Sequence, residues 1–441
     1  MENTYKKRNN TNNGSIEIDD TNELRSTNSV GSLKEKNYDT IPFRVEFIKE
    51  LLNGKKLEPM IDFDNTNTEQ FVNPHGFKDA DPENDDASYD TRTILDKKLL
   101  NFYEIINQIG GKLKYFKSGT TGHTFKGIVK MEDGTRVNYA VKVVAYPKRE
   151  KYGDMNDIRR PENAEIMMIR LLSYFVIKKQ TPHIVLPIGT FNTSIKPFGN
   201  LIENNVVDKD NKKYNEFVKK YGEDYYHDHV SILISEWANR GDLLDFIRKN
   251  YKEFQPIHWK VFFFQVISVL AVIQSKFPGF RHNDLKANNI LVHKVKQRGT
   301  LFSYTVNRSK YIVPSIGYQI KLWDFDFACI PGIVENSKVS AEWTDKINVK
   351  PVQNRYYDIH YFFNTLIKKG FFPQFMEEDI IPQEAKDFVN RIIPDKFKQG
   401  KYTSERGRIM IDLEYKIPDD ILKKDPYFEE FRTTSTNKKK H

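Results

Sequence analysis

Between Arg281 and Val292 (RHNDLKANNILV) one acid, one ammonium and one amide stand at the spacings that phosphoryl transfer needs. Asp284 can accept the proton of an attacking hydroxyl, Lys286 can neutralise a moving phosphoryl group, and Asn289 can ligate a divalent cation. A second acid, Asp324, follows in LWDFDFA, where an apolar strand expected over Ile320–Trp323 ends and its loop begins. Upstream, Lys142 sits in the alternating run VNYAVKVV between Val141 and Val143. A lysine there either snorkels from an edge into solvent or meets an anion, because an unpaired buried ammonium is strongly destabilising. Glu165 lies in RPENAEIMMIRLLSYFV, and at helical period it shares a face with Ile169 and Leu172. It interrupts an apolar stripe, calls for a cation, and has Lys142 as its obvious partner. Glu162 lies one turn earlier, but Pro161 at the helix start assigns it to the first turn.

The elements that must carry these groups are legible in outline. Residues 137–144 read as a strand, 160–176 as a helix, and 181–190 and 230–237 as further strands, with mainly helical patterns after Gly241. That succession predicts an α+β architecture of two parts. The polar stretch 192–228 reads as a mobile insertion near the end of the first part. Residues 1–90 are rich in Asn, Thr, Ser, Asp, Glu and Lys and predict a flexible extension. One amphipathic island within it, Ile41–Leu52, reads as a docking helix or as a short element packed on the body.

The 441 residues, 39% hydrophobic and 13% aromatic, suffice for a packed core. The single cysteine, Cys329, excludes an intramolecular disulfide and sets a reducing cytoplasm as the expected compartment. The N-terminus lacks the apolar core of a secretory signal, and no apolar segment reaches the length of a membrane span. The longest apolar run, Val261–Ile273, is interrupted by Gln265 and Ser268 and reads as a buried helix. Net charge is +9, with lysines dispersed except at Lys438–Lys440. That basic tail, 433–441, allows weak contact with an anionic membrane surface but reads as a solvated terminus. Nothing has the spacing of a zinc site or the pattern of a nucleic-acid module, so no nucleic-acid partner is expected.

The loop and the LWDFDFA segment resemble the catalytic loop and metal-binding segment of the eukaryotic protein kinase superfamily, over roughly Tyr103–Leu366. A narrower resemblance is to the divergent serine/threonine kinases of poxviruses and other large DNA viruses. It rests on HNDLKANNIL, on DFDFA with Asp326 where most kinases have glycine, and on RYYDIHYFFNTL (Arg355–Leu366). The resemblance implies a bilobal kinase-like fold, with a small β-rich N-lobe over 91–238 and a larger helical C-lobe over 239–432. It implies ATP with Mg2+ or Mn2+ as cofactors, Ser/Thr-bearing proteins as substrates, and action in host cytoplasm and virion. In such a kinase Lys142 contacts the α- and β-phosphates. Gly119 and Gly122 of SGTTGHTFKG align with the glycine-rich loop, with Lys117 where the first glycine would be; a plain β-turn explains them equally well. Glu236 and Ala238 offer backbone groups to adenine, and Ser235 guards the pocket behind it. Asp242 faces the ribose, and it is also placed to N-cap LLDFIRKN. His282 braces the loop, Asp358 holds its backbone from below, and Asn283 replaces an arginine that reads a phosphorylated activation segment.

Two departures accompany these matches. Asn289 and Asp324 are 35 residues apart, well beyond the usual gap, and the extra length near 294–318 reads as an extended hairpin. No APE-like triplet occurs between Asp324 and Asp358. Two rival functions remain at this stage. A small-molecule kinase of the choline or aminoglycoside type fits HND and DFDFA but not Lys286, the VNYAVKVV strand or the GDLL segment. A pseudokinase scaffold usually lacks the loop acid or the metal ligand, and both are present here.

Overall fold

The computed structural model describes residues 40–63, 95 and 97–433, apart from 111, 120–121, 131–133, 135, 296–298 and 340. The basic tail and most of the expected polar extension lie outside the described residues.

Five antiparallel strands form the N-terminal part: β1 (Lys112–Ser118), β2 (Gly122–Lys130), β3 (Arg136–Pro147), β4 (Pro187–Ser194) and β5 (Tyr226–Glu236), in the order β1-β2-β3-β5-β4. The β-branched run of β3 makes it the middle strand, paired with β2 and β5 and buried along most of its length. Helix α1 (Ile41–Leu52) precedes the sheet, as does α2 (Phe102–Ile109), which Asn101 caps. Between β3 and β4 runs α3 (Pro161–Ile177). Its Pro161 is pre-set for a first helical turn, and Ala164, Met168, Ile169 and Leu172 bury its inner face.

The stretch 192–228 departs from the expected mobile insertion. It finishes β4, forms α4 (Lys212–Gly222) and begins β5. Asn211 caps α4, and Tyr214 and Phe217 are buried against the ring of His123, with Phe217 4.5 Å from it. Two aromatics one turn apart bury enough area to seat an otherwise polar helix. Within the extension, the island Ile41–Leu52 takes the second of its two readings, an element packed on the body, because α1 buries Phe47, Ile48, Leu51 and Leu52 in the common core.

After β5 the chain is mostly helical: α5 (Leu243–Asn250), α6 (Pro256–Lys276), α7 (Tyr357–Leu366), α8 (Gln383–Ile392) and α9 (Pro418–Lys424). Helix α6 is long and apolar enough to cross a membrane, yet 83% of its most apolar window is buried inside the molecule. It is the central core helix, as its polar interruptions suggested. Two ribbons complete this part. Strands β6 (Ile290–Lys294) and β9 (Tyr318–Leu322) pair antiparallel, Ile290 opposite Leu322. Between them β7 (Leu301–Val306) and β8 (Ser309–Pro314) form the hairpin read from the sequence. Its two turn residues, Asn307 and Arg308, both have positive φ (47° and 69°), the backbone that a tight two-residue hairpin requires.

Candidate active site

The β6–β9 register brings two of the candidate residues together. Asn289 immediately precedes β6 and Asp324 lies just beyond β9, so the pairing of Ile290 with Leu322 brings both to one end of the ribbon. From the sheet side, the Lys142 ammonium donates to Glu165 Oε1 on α3 at 2.6 Å and to Asp324 Oδ1 at 3.2 Å. Burial alone would lower the Lys142 pKa, but the two carboxylates outweigh it and hold the ammonium above its usual range. Burial likewise opposes ionisation of Asp324, and the same lysine reverses that and lowers its carboxyl. Asp324 adopts a left-handed backbone, φ 64°, as does Asn283, φ 62°. Asp and Asn are the side chains that accept this conformation most readily, and such strain gathers at functional sites.

Asp284 sits one hydrogen bond from this group. Asn289 Nδ2 donates to Asp284 Oδ2 and to its backbone carbonyl, each at 2.9 Å, and the Lys286 ammonium is 2.9 Å from the same carboxylate oxygen. The loop is held from beneath by Asp358 at the start of α7, which accepts from the backbone N–H of His282 (2.7 Å) and of Asn283 (2.9 Å). His282 Nε2 donates to the Trp323 carbonyl at 3.1 Å, tying the loop to the Asp324 segment. Asp326, where glycine was expected by resemblance, forms an ion pair with Lys338. Asn336 Nδ2 bonds the Asp326 carbonyl at 2.9 Å, so this position fastens the following segment. Cys329 is buried and burial pushes its thiol up to about 12, which leaves it a packing residue.

A cavity of about 400 Å³ opens between the sheet and these loops. It is lined by Lys142, Glu165, Asn289 and Asp324, and by Gly119, Gly122, Ser235, Glu236, Ala238 and Asp242 from the sheet and the connection to α5. Its volume falls within the range of small-molecule sites. Gly122 is obligatory, since a Cβ there would lie 1.8 Å from the Val143 carbonyl oxygen. Asp242 caps α5 by accepting from the Asp245 N–H at 2.9 Å, as one of its two sequence readings expected, and it also lines the cavity. Glu236 lines the cavity, while its side chain points into an ion-pair cluster. Its backbone N–H is committed to the Leu186 carbonyl at 3.0 Å. Its carboxylate is buried, taking bonds from Arg44 Nε (2.9 Å) and Nη2 (2.5 Å), from the Leu186 N–H (2.8 Å) and from the Lys321 ammonium (2.9 Å). Burial would raise this carboxyl, but Arg44 and Lys321 bring it down to about 2.

Arg44 and Lys321 were missed from the sequence. Lys321 lies between Ile320 and Leu322 in a strand, the same signal that singled out Lys142. Arg44 is one polar residue on an amphipathic helix, and nothing local marks its partner 192 positions away. Arg408 was also missed. Its Nη2 donates to Asp284 Oδ1 at 2.6 Å.

What this cavity can do follows from its charges: it draws an anion to Lys142 and offers oxygens to a cation, as a nucleoside triphosphate requires of a phosphotransferase of the protein kinase class. Comparison with known proteins gives that class a family. Residues 96–410 match the poxvirus serine/threonine protein kinases, and the chain belongs to that family. Similar to it is a protein of Acanthamoeba polyphaga mimivirus whose name assigns it to the serine/threonine-protein kinases, 48% identical over 396 residues, or 88% of this chain and 80% of that protein. Serine/threonine-protein kinase 2 of vaccinia virus (strain L-IVP) is 28% identical over 183 residues, covering 40% of this chain and 41% of the viral protein. Serine/threonine-protein kinase 2 of fowlpox virus is 25% identical over 249 residues, 55% and 50% of the two chains. Family membership decides between the functions that the motifs left open. The chain is a viral-type serine/threonine protein kinase, with ATP as its nucleotide.

Proposed function

We propose that the sheet-rich part to residue 238 and the helical part over 239–432 are the two lobes of a kinase fold, with insertions near 192–228 and 294–318, and that ATP binds in the cavity between them. Lys142, fixed by Glu165, grips the α- and β-phosphates. Asp284 orients the serine or threonine hydroxyl of a protein substrate and takes its proton, while Lys286 neutralises charge that grows on the transferred group. Ala238 and the neighbouring connection receive adenine, Asp242 the ribose, and Gly119 and Gly122 allow backbone to approach the phosphates.

The donor set fits magnesium. Asn289 commits both Nδ2 hydrogens to Asp284, which leaves Oδ1 as a neutral oxygen ligand, and Asp324 has a second carboxylate oxygen beyond the one that Lys142 engages. Hard oxygen donors of this kind suit Mg2+ or Mn2+. When bound, the ion would neutralise charge on the phosphates. The host cytoplasm, where ATP and magnesium are abundant, is the setting for this reaction.

One observation carries the reading: the lysine held by Glu165 and the amide held by Asp284 line the same cavity. Transfer of label from γ-labelled ATP to acceptor proteins tests it. Replacing Asp284 with Ala is expected to lower the rate by about 10² to 10⁴. Asp324→Ala is expected to match that loss and to weaken the dependence on magnesium concentration. Full activity in either variant overturns the assignment of that residue.

A further inference from the structure

Arg408 belongs to a short segment beyond α8 and lies 124 positions from Asp284 in sequence, yet its guanidinium reaches the loop acid. It is nearly enclosed, 5% exposed, and stacks 4.1 Å over the Tyr361 ring of α7, the helix that also presents Asp358. Its backbone is clamped on both sides. The Ser404 N–H donates to the Arg408 carbonyl at 2.8 Å and the Arg408 N–H to Ser404 Oγ at 3.0 Å. Asn364 Nδ2 holds the Gly407 carbonyl at 2.9 Å, and Asn348 Nδ2 holds the Ile409 carbonyl at 2.9 Å. Gly407 has φ 91°, a conformation that turns the chain into this position and strains any side chain.

The carboxylate of Asp284 is therefore divided. Oδ1 takes the nearly enclosed Arg408 at 2.6 Å, and Oδ2 takes Lys286 and Asn289, the latter a residue of the cavity lining. A carboxylate free to rotate about its last bond would meet a substrate hydroxyl in the right orientation only part of the time. One anchored by a stacked, buried guanidinium presents the same oxygen at every encounter. We infer that Arg408 is a positioning residue for phosphoryl transfer: it fixes Asp284 through Oδ1 so that Oδ2 is aimed at the acceptor hydroxyl. This inference rests on the proposed role of Asp284. The part that positions the reacting acid thus comes from outside the catalytic loop, in a segment where the sequence gives no signal.

The test is steady-state kinetics on the full chain with a protein acceptor, for wild type, Arg408→Ala, Arg408→Lys, Arg408→Gln, Asp284→Ala and the double variant Asp284→Ala/Arg408→Ala. Arg408→Ala is expected to lower kcat by about 10²-fold while leaving the KM for ATP within about twofold, the signature of an interaction that matters only in the transition state. Arg408→Lys restores one cationic donor and is expected to recover at least about tenfold of that loss, whereas neutral Arg408→Gln is not. In the Asp284→Ala background, removing Arg408 is expected to cause no further loss. A kcat for Arg408→Ala at the wild-type level overturns the inference, and a kcat above it identifies the contact as inhibitory. If Arg408→Ala does not fold, equal kcat values for the Lys and Gln variants overturn it as well. Full activity of Asp284→Ala, by contrast, sinks the reading of Asp284 itself, whatever Arg408 does.

Discussion

Asp358 is fully buried, and each of its carboxylate oxygens accepts one backbone N–H of the loop that carries Asp284, from His282 and from Asn283. Burial pushes its carboxyl up, against the pull of His282, Arg281 and those two bonds. Asp358→Asn keeps the shape but turns an amide N–H2 toward one of the loop donors, leaving it without an acceptor. The expected cost is about 1–3 kcal/mol of stability. The loop would shift by a fraction of an ångström, lowering kcat by up to about 10²-fold. Urea unfolding and steady-state kinetics check the two effects, and a variant equal to wild type in both would show that the carboxylate does not hold the loop. The pairing of Lys142 with Glu165 was readable because each charge interrupts an apolar pattern, and a buried charge needs an opposite one. Lys321 carried that signal too. Arg44, between Phe43 and Val45 on a helix, and Arg408, between Gly407 and Ile409 outside any regular element, acquire their partners only through the tertiary fold.

At the scale of elements, the middle strand and the helix after it lie within a few residues of their expected spans, 136–147 against 137–144 and 161–177 against 160–176. Their hydrophobic periods are long, which is what makes an element legible, and the charge that breaks each one turns out to be paired. Helix α4 was missed because two aromatics carry its burial. Helix α1 had a readable amphipathic face, but its seat was hidden. That seat is the end of β5, where Arg44 also donates to the carbonyls of Pro182 (2.8 Å) and Ile184 (2.6 Å) while pairing with Glu236. The helix thus braces the junction where the sheet passes into the helical region. Arg44→Ala would leave Glu236 with Lys321 as its remaining buried cation and two carbonyls without their donor. Breaking a buried ion pair in this way is expected to cost about 3–5 kcal/mol. Chemical denaturation would measure it, and a loss below about 1 kcal/mol, the level of a surface ion pair, would count against α1 as a structural brace.

Across the whole molecule, acid should act first through histidines rather than carboxylates. His183 and His360 are fully buried; their carbonyl partners can only accept, so His183 Nδ1 donates to Ile320 O (2.9 Å) and His360 Nε2 to Phe397 O (2.7 Å). His123 lies beneath α4 and His293 on β6, so the four span both the sheet and the helical region. Burial lowers all four from 6.5, to about 3 for His183 and His293 and to about 4 for His123 and His360. Between those values and 6.5 the unfolded chain binds protons that the folded chain refuses, so stability rises with pH across this window and falls as acid is added. Each histidine contributes a slope of about 1.4 kcal/mol per pH unit well inside the window. Glu236 behaves in the same sense but lower: its carboxyl is depressed from 4.5 to about 2, so its contribution is complete above 4.5 and is lost only below that. The urea midpoint is therefore expected to drop from pH 6.5 to pH 5, above the range where Glu236 protonates, with Glu165, whose carboxyl burial raises to about 7, offsetting about one histidine's share of the slope. Replacing His360 with Gln, which can still donate to the Phe397 carbonyl but does not titrate, is expected to flatten the slope by about one proton's worth. An unchanged slope in that variant would mean that His360 is not among the groups whose protonation unfolds the protein.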